Sequence, residues 1–264
     1  MKVLHMNLKQ LREEAWDIAR EIAVIDSDRL WTTKEMNRYI NRVYRHIARE
    51  TRCIRDAETL SICRIASTVP TDLAELTSLA ATDARYAQDL VWYNEPTSWL
   101  YQHLVAPYIY DLHPLIIDID EVKWASTSRT WRLNKVSVNK WQVNPVWEQT
   151  IGMPTEYCTD YSNGRIAINF RADTSDTLKL TVRRMPLTDL VLDTDVPEYR
   201  THYHDFMING ILWQMYSKQD SQTFDGEKAV AYQARFLADV DEIKQQETIL
   251  DQRLKPNHSL DAFR

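Results

Sequence analysis

The stretch Trp31–Arg55 reads WTTKEMNRYINRVYRHIARETRCIR, and its periodicity decides the fold class. Met36, Tyr39/Ile40, Val43 and Ile47 step by threes and fours, with Ile54 after them. That spacing predicts one apolar face of an amphipathic helix starting near Thr32 or Thr33, with Thr33 as the expected N-cap. From Asn37 to Arg55, six arginines fall in nineteen residues. At about 100° per residue, Arg38, Arg42, Arg45, Arg49 and Arg52 keep to one side, roughly opposite the apolar set. Such a strip can contact phosphates and release counterions. It can equally be a solvated face, an ion-paired face or part of a subunit interface. Glu13, Glu14, Asp17 and Glu21 upstream, and Glu50 within, offer acidic partners. The formal net charge of -6 works against a general attraction to nucleic acid and favours pairing.

Working outward, Leu4, Leu8, Leu11, Ala15, Ile18, Ile22 and Ile25 predict a first amphipathic helix, broken by Asp26-Ser27-Asp28. After Pro70, residues 71–92 suit one or two short helices. Residues 93–113 carry Pro96, Pro107 and a dense aromatic set that runs from Trp92 to Tyr110. They read as irregular structure with a short helix near 97–105. The period then changes. Ile117, Ile119 and Val122 alternate, as do Trp131, Leu133, Val136 and Val138 with one slip. GRIAINF (164–170) and TLKLTVRR (177–184) read as neighbouring antiparallel strands joined by the polar turn Asp173–Asp176. Helical periodicity returns after Pro186 and Pro197. It covers 198–218 and then, past an Asp220–Gly226 turn, a long helix over 227–254 with Ala229, Tyr232, Phe236, Val240, Ile243, Leu250 and Leu254 inward.

The expected class is α+β, mainly α. A helical bundle made by both chain ends (1–113 and 187–254) would carry a small antiparallel β-rich insertion (114–186). The polar residues 255–264 would form a flexible tail.

Composition narrows the function. The four glycines are scattered, so the clustered glycines of common phosphate-binding loops are missing. Three cysteines without ligand-like spacing fit free thiols in a reducing compartment. No stretch approaches the roughly 18 apolar residues of a membrane span, and the N-terminus has no signal-like apolar run. The chain is expected to be soluble, with no membrane partner. Nine tryptophans and thirteen tyrosines mildly favour an assembling protein, although a generous core would also use them. His202-x-His204-Asp205 has the wrong spacing for a helical metal pair, so a surface or capping role is expected. Asp118-x-Asp120-Glu121 reads as a solvated strand face rather than an acid pair or cation site. No nucleophile, cofactor or metal signature emerges, and no enzymatic activity is expected.

Several segments together resemble the tailed-bacteriophage head-to-tail adaptors, also called connector or head completion proteins, of short-tailed phages. WTTKEMNRYINRVYRHIARET (31–51) is similar to the family's early helix, with its Trp-Thr start and central Asn. IGMPTEY (151–157) is similar to its Gly-x-Pro-x-x-Tyr turn. GRIAINF with TLKLTVRRMPL (164–170, 177–187) resembles its closing Arg-x-Pro hairpin. VPEYRTHYHDFMINGILWQMYSKQDSQTFDGEKAVAYQARF (196–236) resembles its Pro-x-x-Tyr-His helix pair with Lys-x-Asp in the turn. The resemblance covers about residues 30–250 but not the 70–113 segment.

The resemblance implies a non-enzymatic virion protein, made in the host cytoplasm and placed at the head–tail junction. It implies a homo-oligomeric ring, usually of about twelve copies, whose subunit contacts are heterologous. The ring would dock under the portal protein and receive tail tube, nozzle or fibre proteins. Packaged DNA would pass through its channel without sequence-specific binding. A terminal segment often reaches the portal in such proteins, which makes Lys255, Pro256, Asn257, His258, Leu260, Phe263 and Arg264 the candidate portal contact. The arginine strip becomes a candidate ion-pair or ring interface. The alternative is a nucleic-acid-binding module using the Arg38–Arg55 helix.

Overall fold

The computed structural model describes residues 5–20, 29–57, 59–60, 62–64, 109–125, 129–142, 152–169, 177–220 and 223–254. The chain divides into two compact units, one from Met1–Ile54 with Arg184–Arg264 and one from Arg55–Arg183.

In the first unit, helix α1 spans Leu8–Ala19. Asn7 and Gln10 close a capping box at its start, each side chain bonded to the other's backbone N–H at 2.9 Å. The helix stops at Arg20, which turns left-handed (φ 57°). Of the expected seam, Ile18 is exposed, and Leu4, Ile22 and Ile25 lie outside the described residues. The buried side is Leu8, Leu11, Arg12, Ala15 and Trp16. Arg12 is on it because its guanidinium donates to Asn37 Oδ1 at 2.8 Å and to Asp193 Oδ1 at 2.7 Å. A buried charge is tolerable when paired in this way.

Helix α2 spans Thr33–Thr51. Its N-cap is Thr32, one residue before the expected Thr33, because Thr32 and Glu35 complete a capping box at 3.0 and 3.3 Å. Helix α4 (Phe206–Tyr216) is apolar nearly all round, and it is buried accordingly. Helix α5 (Gly226–Leu254) starts after Asp225, whose carboxylate accepts from Lys228 N–H at 3.0 Å. One apolar cluster joins all four helices, including Leu11, Tyr44, Ile47, Ile211 and Phe236. Gly210 sits at the crossing. A Cβ there would lie 2.8 Å from Val43 Cγ1 and 2.8 Å from Phe236 Cε2.

The second unit holds two sheets. Among the described residues its elements are β1 (Arg55–Asp56), β2 (Ile62–Arg64), β3 (Ile109–Asp111), β4 (Ile116–Ala125), β5 (Thr130–Arg132), β6 (Asn134–Lys135), α3 (Val138–Gln142), β7 (Glu156–Cys158), β8 (Arg165–Ile168) and β9 (Thr177–Arg184). One sheet has the order β1-β9-β4-β5 with β2 also on β9; the other has the order β3-β8-β7-β6. Trp124 and Trp131 face each other between β4 and β5, and Tyr157 faces Ile168 between β7 and β8. Both sheets feed one cluster that includes Tyr110, Val122, Trp124, Leu133, Ile166 and Leu180.

The hairpin expected between 164–170 and 177–184 does not form. β8 lies between β3 and β7, whereas β9 pairs with β1 and β2. Alternation reveals which face of a strand is buried, not which strand lies beside it. β6 and β7 run parallel, so the region is not purely antiparallel. β3 falls in a stretch expected to be irregular, β2 in one where no element was expected, and β1 at the end of the expected Arg38–Arg55 helix; strands this short show too little alternation to be read. The expected helices within 71–92 and 97–105, the turn Asp173–Asp176 and the tail 255–264 lie outside the described residues.

Candidate interface on the helical unit

The exposed positions of α2 are Lys34, Arg38, Arg42, Arg45, Arg49 and Glu50, so its outer face is almost uniformly basic. Arg52 is also exposed, but it is the left-handed cap after the helix (φ 54°). Arg55 is in β1 and pairs with Asp120 at 3.2 Å. Arg42 donates to Gln214 Oε1 at 2.9 Å, and Arg45 meets Asp189 Oδ2 at 3.4 Å. Arg38 lies 5.5 Å from the Tyr39 ring centroid. Among the described residues, no acid of α1 pairs with an α2 arginine. Glu13 pairs with Lys9 at 3.7 Å, and Glu14 and Asp17 are exposed. Arg45 and Asp189 are both about half exposed, and such a pair contributes about 1 kcal/mol or less.

Beside this face lies a segment whose role the sequence did not reveal, 185–198. Asn41 is buried in the middle of α2. It accepts from Leu190 N–H at 2.7 Å and donates to Leu190 O at 2.9 Å. Asp195 Oδ2 accepts from Val191 N–H at 2.7 Å and Leu192 N–H at 2.8 Å. The Asp195 carbonyl accepts from Leu8 N–H at 2.8 Å, and Arg12 pairs with Asp193 at 2.7 Å. Tyr44 Oη accepts from Glu198 N–H at 2.9 Å, and Arg184 pairs with Glu198 at 2.7 Å. The loop is thus bound to α1 and α2, yet Val191 and Leu192 are 71% and 64% exposed. The only sequence signal was a polar Asn on an apolar helix face.

The start of α2 is fixed to the end of α4. Trp31 Nε1 donates to Met215 O at 2.9 Å. Lys218 Nζ reaches Leu30 O at 3.0 Å, Glu35 at 3.2 Å and Asp220 at 3.1 Å. Burial pushes the Glu35 carboxyl up, but bonds from Thr32 and Lys218 outweigh it and hold the group below its ordinary value. The Trp-Thr and Lys-x-Asp elements therefore meet, in a structural role.

His204 is not a surface residue. It is buried, Nδ1 accepts from Met6 N–H at 3.2 Å, and Nε2 carries the proton toward Tyr199 O at 3.4 Å. Burial lowers its pKa. His202 packs its ring edge-on against Tyr203 instead, with centroids 4.2 Å apart. In the other unit, Asp120 lies against Arg55 at 3.2 Å and Arg183 at 2.9 Å. Glu121 meets Lys123 at 2.8 Å and Arg132 at 3.5 Å. These two carboxylates serve ion pairs, and Asp118 accepts from Ile119 N–H at 2.8 Å. Cys53 and Cys158 are buried and not in a disulfide. Burial, with Asp160 beside it, pushes Cys158 up to about 12, which makes it unreactive as a thiolate. Among the described residues, no group of three or more His, Cys, Asp or Glu could hold a metal ion, and no helix is long and apolar enough to cross a membrane. Lys255, Pro256, Asn257, His258, Leu260, Phe263 and Arg264 lie outside the described residues.

Residues 6–257 match the family model described as SU10 adaptor protein. No curated protein matches the chain.

Proposed function

Since the chain belongs to the SU10 adaptor protein family, we propose that it acts as a head-to-tail adaptor, assembling into an oligomeric ring under the portal. As a phage structural adaptor it would work by geometry rather than catalysis. The ring, of about twelve copies as in similar adaptors, extends the DNA channel and offers a docking surface to tail tube, nozzle or fibre proteins. The helical bundle formed by both chain ends is its ring-forming core, and the tail 255–264, which follows α5, reaches the portal. The observation that carries this reading is the family match across residues 6–257. The test is electron microscopy of the protein mixed with its portal. A ring below the portal is expected, and deleting 255–264 should weaken docking. Portals that stay bare would sink the reading.

A nucleic-acid-binding role is the second reading, because the outer face of α2 is basic. It requires tight binding of isolated protein to duplex DNA, falling steeply with salt.

A further inference from the structure

Among the exposed apolar side chains of the helical unit, two groups lie on different elements. The first is the Val191–Leu192 tip. Its backbone is held by Asn41 through Leu190 and by the Asp195 carboxylate. Two large apolar side chains on backbone this firmly bonded form a preorganised knob, which loses little freedom on docking. The second is the outer side of α5. Val230 and Leu237 are 66% and 47% exposed. They stand seven residues apart and so share a face. Ala231, Ala234 and Ala238 around them are exposed too. Small side chains between two larger ones leave a shallow apolar trough. This side points away from the core, which takes Ala229, Phe236 and Val240.

The basic face of α2 beside the knob and the acidic stretch that follows the trough are opposite in sign, while the knob's own loop exposes Asp189 and Asp193 and α5 exposes Lys228 and Arg235. The knob adjoins the basic face of α2 through Arg45 and Asp189. The trough runs on along α5 into exposed Asp241 and Glu242. A closed ring needs two different faces on each copy that fit one another.

We infer that the Val191–Leu192 knob of one copy seats in the Val230–Leu237 trough on α5 of a second copy, with the α2 arginines beside Asp241 and Glu242 in the middle of that helix. This deepens the ring reading and rests on it. It accounts for these two groups by a single contact.

The test places Leu192→Cys and Ala234→Cys in one chain, assembles the protein on portal rings and adds a short bismaleimide. A ladder of covalently joined copies is expected, absent from the wild type. Leu192→Cys mixed with Ala234→Cys should stop at joined pairs. In parallel, Val191→Ser/Leu192→Ser should keep its circular dichroism and melting temperature while assembling about tenfold more weakly or worse. Rings that form without the ladder, or serine variants that assemble like wild type, overturn the knob-and-trough contact and leave the adaptor reading standing. A serine variant that forms rings but no longer binds tail proteins assigns the knob to another partner and overturns it as well. If wild-type protein forms no ring on the portal, both readings fall together.

Discussion

Asn41 and Leu190 are joined by two hydrogen bonds in opposite directions, 2.7 and 2.9 Å long, across 149 residues of sequence. The pair fixes where the loop leaves the helical core, and both residues are buried. Replacing Asn41 by Ala leaves the N–H and C=O of Leu190 without their partner. A stranded buried polar group costs more than a hydrogen bond contributes when made. The expected loss is about 2 kcal/mol or more, read by urea denaturation. Loss of protection at the Val191 and Leu192 amides in hydrogen exchange should accompany it. A variant as stable as wild type would refute the anchoring role.

Gly210 should be equally sensitive, for a different reason. A methyl group there meets Val43 and Phe236 at 2.8 Å, and both neighbours are themselves buried. Gly210→Ala gains about 1 kcal/mol of helix propensity. Overpacking costs typically about 1–3 kcal/mol, and at contacts this short it wins. Thermal melts should show a net destabilisation. Adding Val43→Ala should cost less in the Gly210→Ala background than in wild type, because the second change clears space for the first.

The helix α2 was legible because its apolar steps of three and four are local; the Thr32-x-x-Glu35 box is local too, but the cap was expected one residue later, at Thr33. α1 was only half legible. Its buried side includes Arg12, which sequence patterning places with the solvent, since the acid that neutralises it, Asp193, is 181 residues away. The strands at β8 and β9 were found by alternation, but their partners were not. Alternating residues in both segments are buried against the same cluster, so nothing local separates a hairpin from two sheets. The arginine strip was readable as one face of α2. Its partners were not, since Asp189 and Gln214 reach it through tertiary packing. Nothing in the sequence singled out the Val191–Leu192 tip. Only the bonds from Asn41 and Asp195 show that it is held outward.

His204 gives the helical unit a pH response whose sign follows from burial. Desolvation, with a smaller contribution from His5, lowers its pKa below the ordinary 6.5; the Tyr199 carbonyl and Asp205 act the other way. The folded state holds the ring neutral, with Nδ1 accepting from Met6. Between the lowered folded value and 6.5, the unfolded chain binds the extra proton. Stability is therefore fully present above about 6.5 and is lost as pH falls through that window. Melting temperatures from pH 7.5 to 5 should fall for wild type. His204→Gln should be less stable at neutral pH but show a flatter profile. A wild-type profile with no decline below pH 6.5 contradicts this assignment.

The arginine face separates the two functional readings by what its removal leaves intact. Arg38, Arg42 and Arg49 are exposed. Surface substitutions of this kind usually change stability by no more than about 0.5 kcal/mol each. Arg38→Gln/Arg42→Gln/Arg49→Gln should therefore fold normally, so any functional loss is a loss of contact. If the face meets phosphates, wild-type protein alone binds duplex DNA. The slope of log K against log salt then falls by about one for each arginine removed. If the face lies beside Asp241 and Glu242 on α5 of a neighbouring copy, isolated wild-type protein binds DNA weakly at physiological salt. The variant then forms fewer rings on the portal, and the wild-type ring loosens as salt rises because rim charges are screened over about 8 Å at physiological ionic strength. The adaptor reading expects the second pattern. It also expects Asp241→Lys/Glu242→Lys to weaken the ring as the arginine changes do. Combining those lysines with Arg42→Glu/Arg49→Glu in one chain should restore part of the assembly, an outcome that simple loss of net charge would not produce.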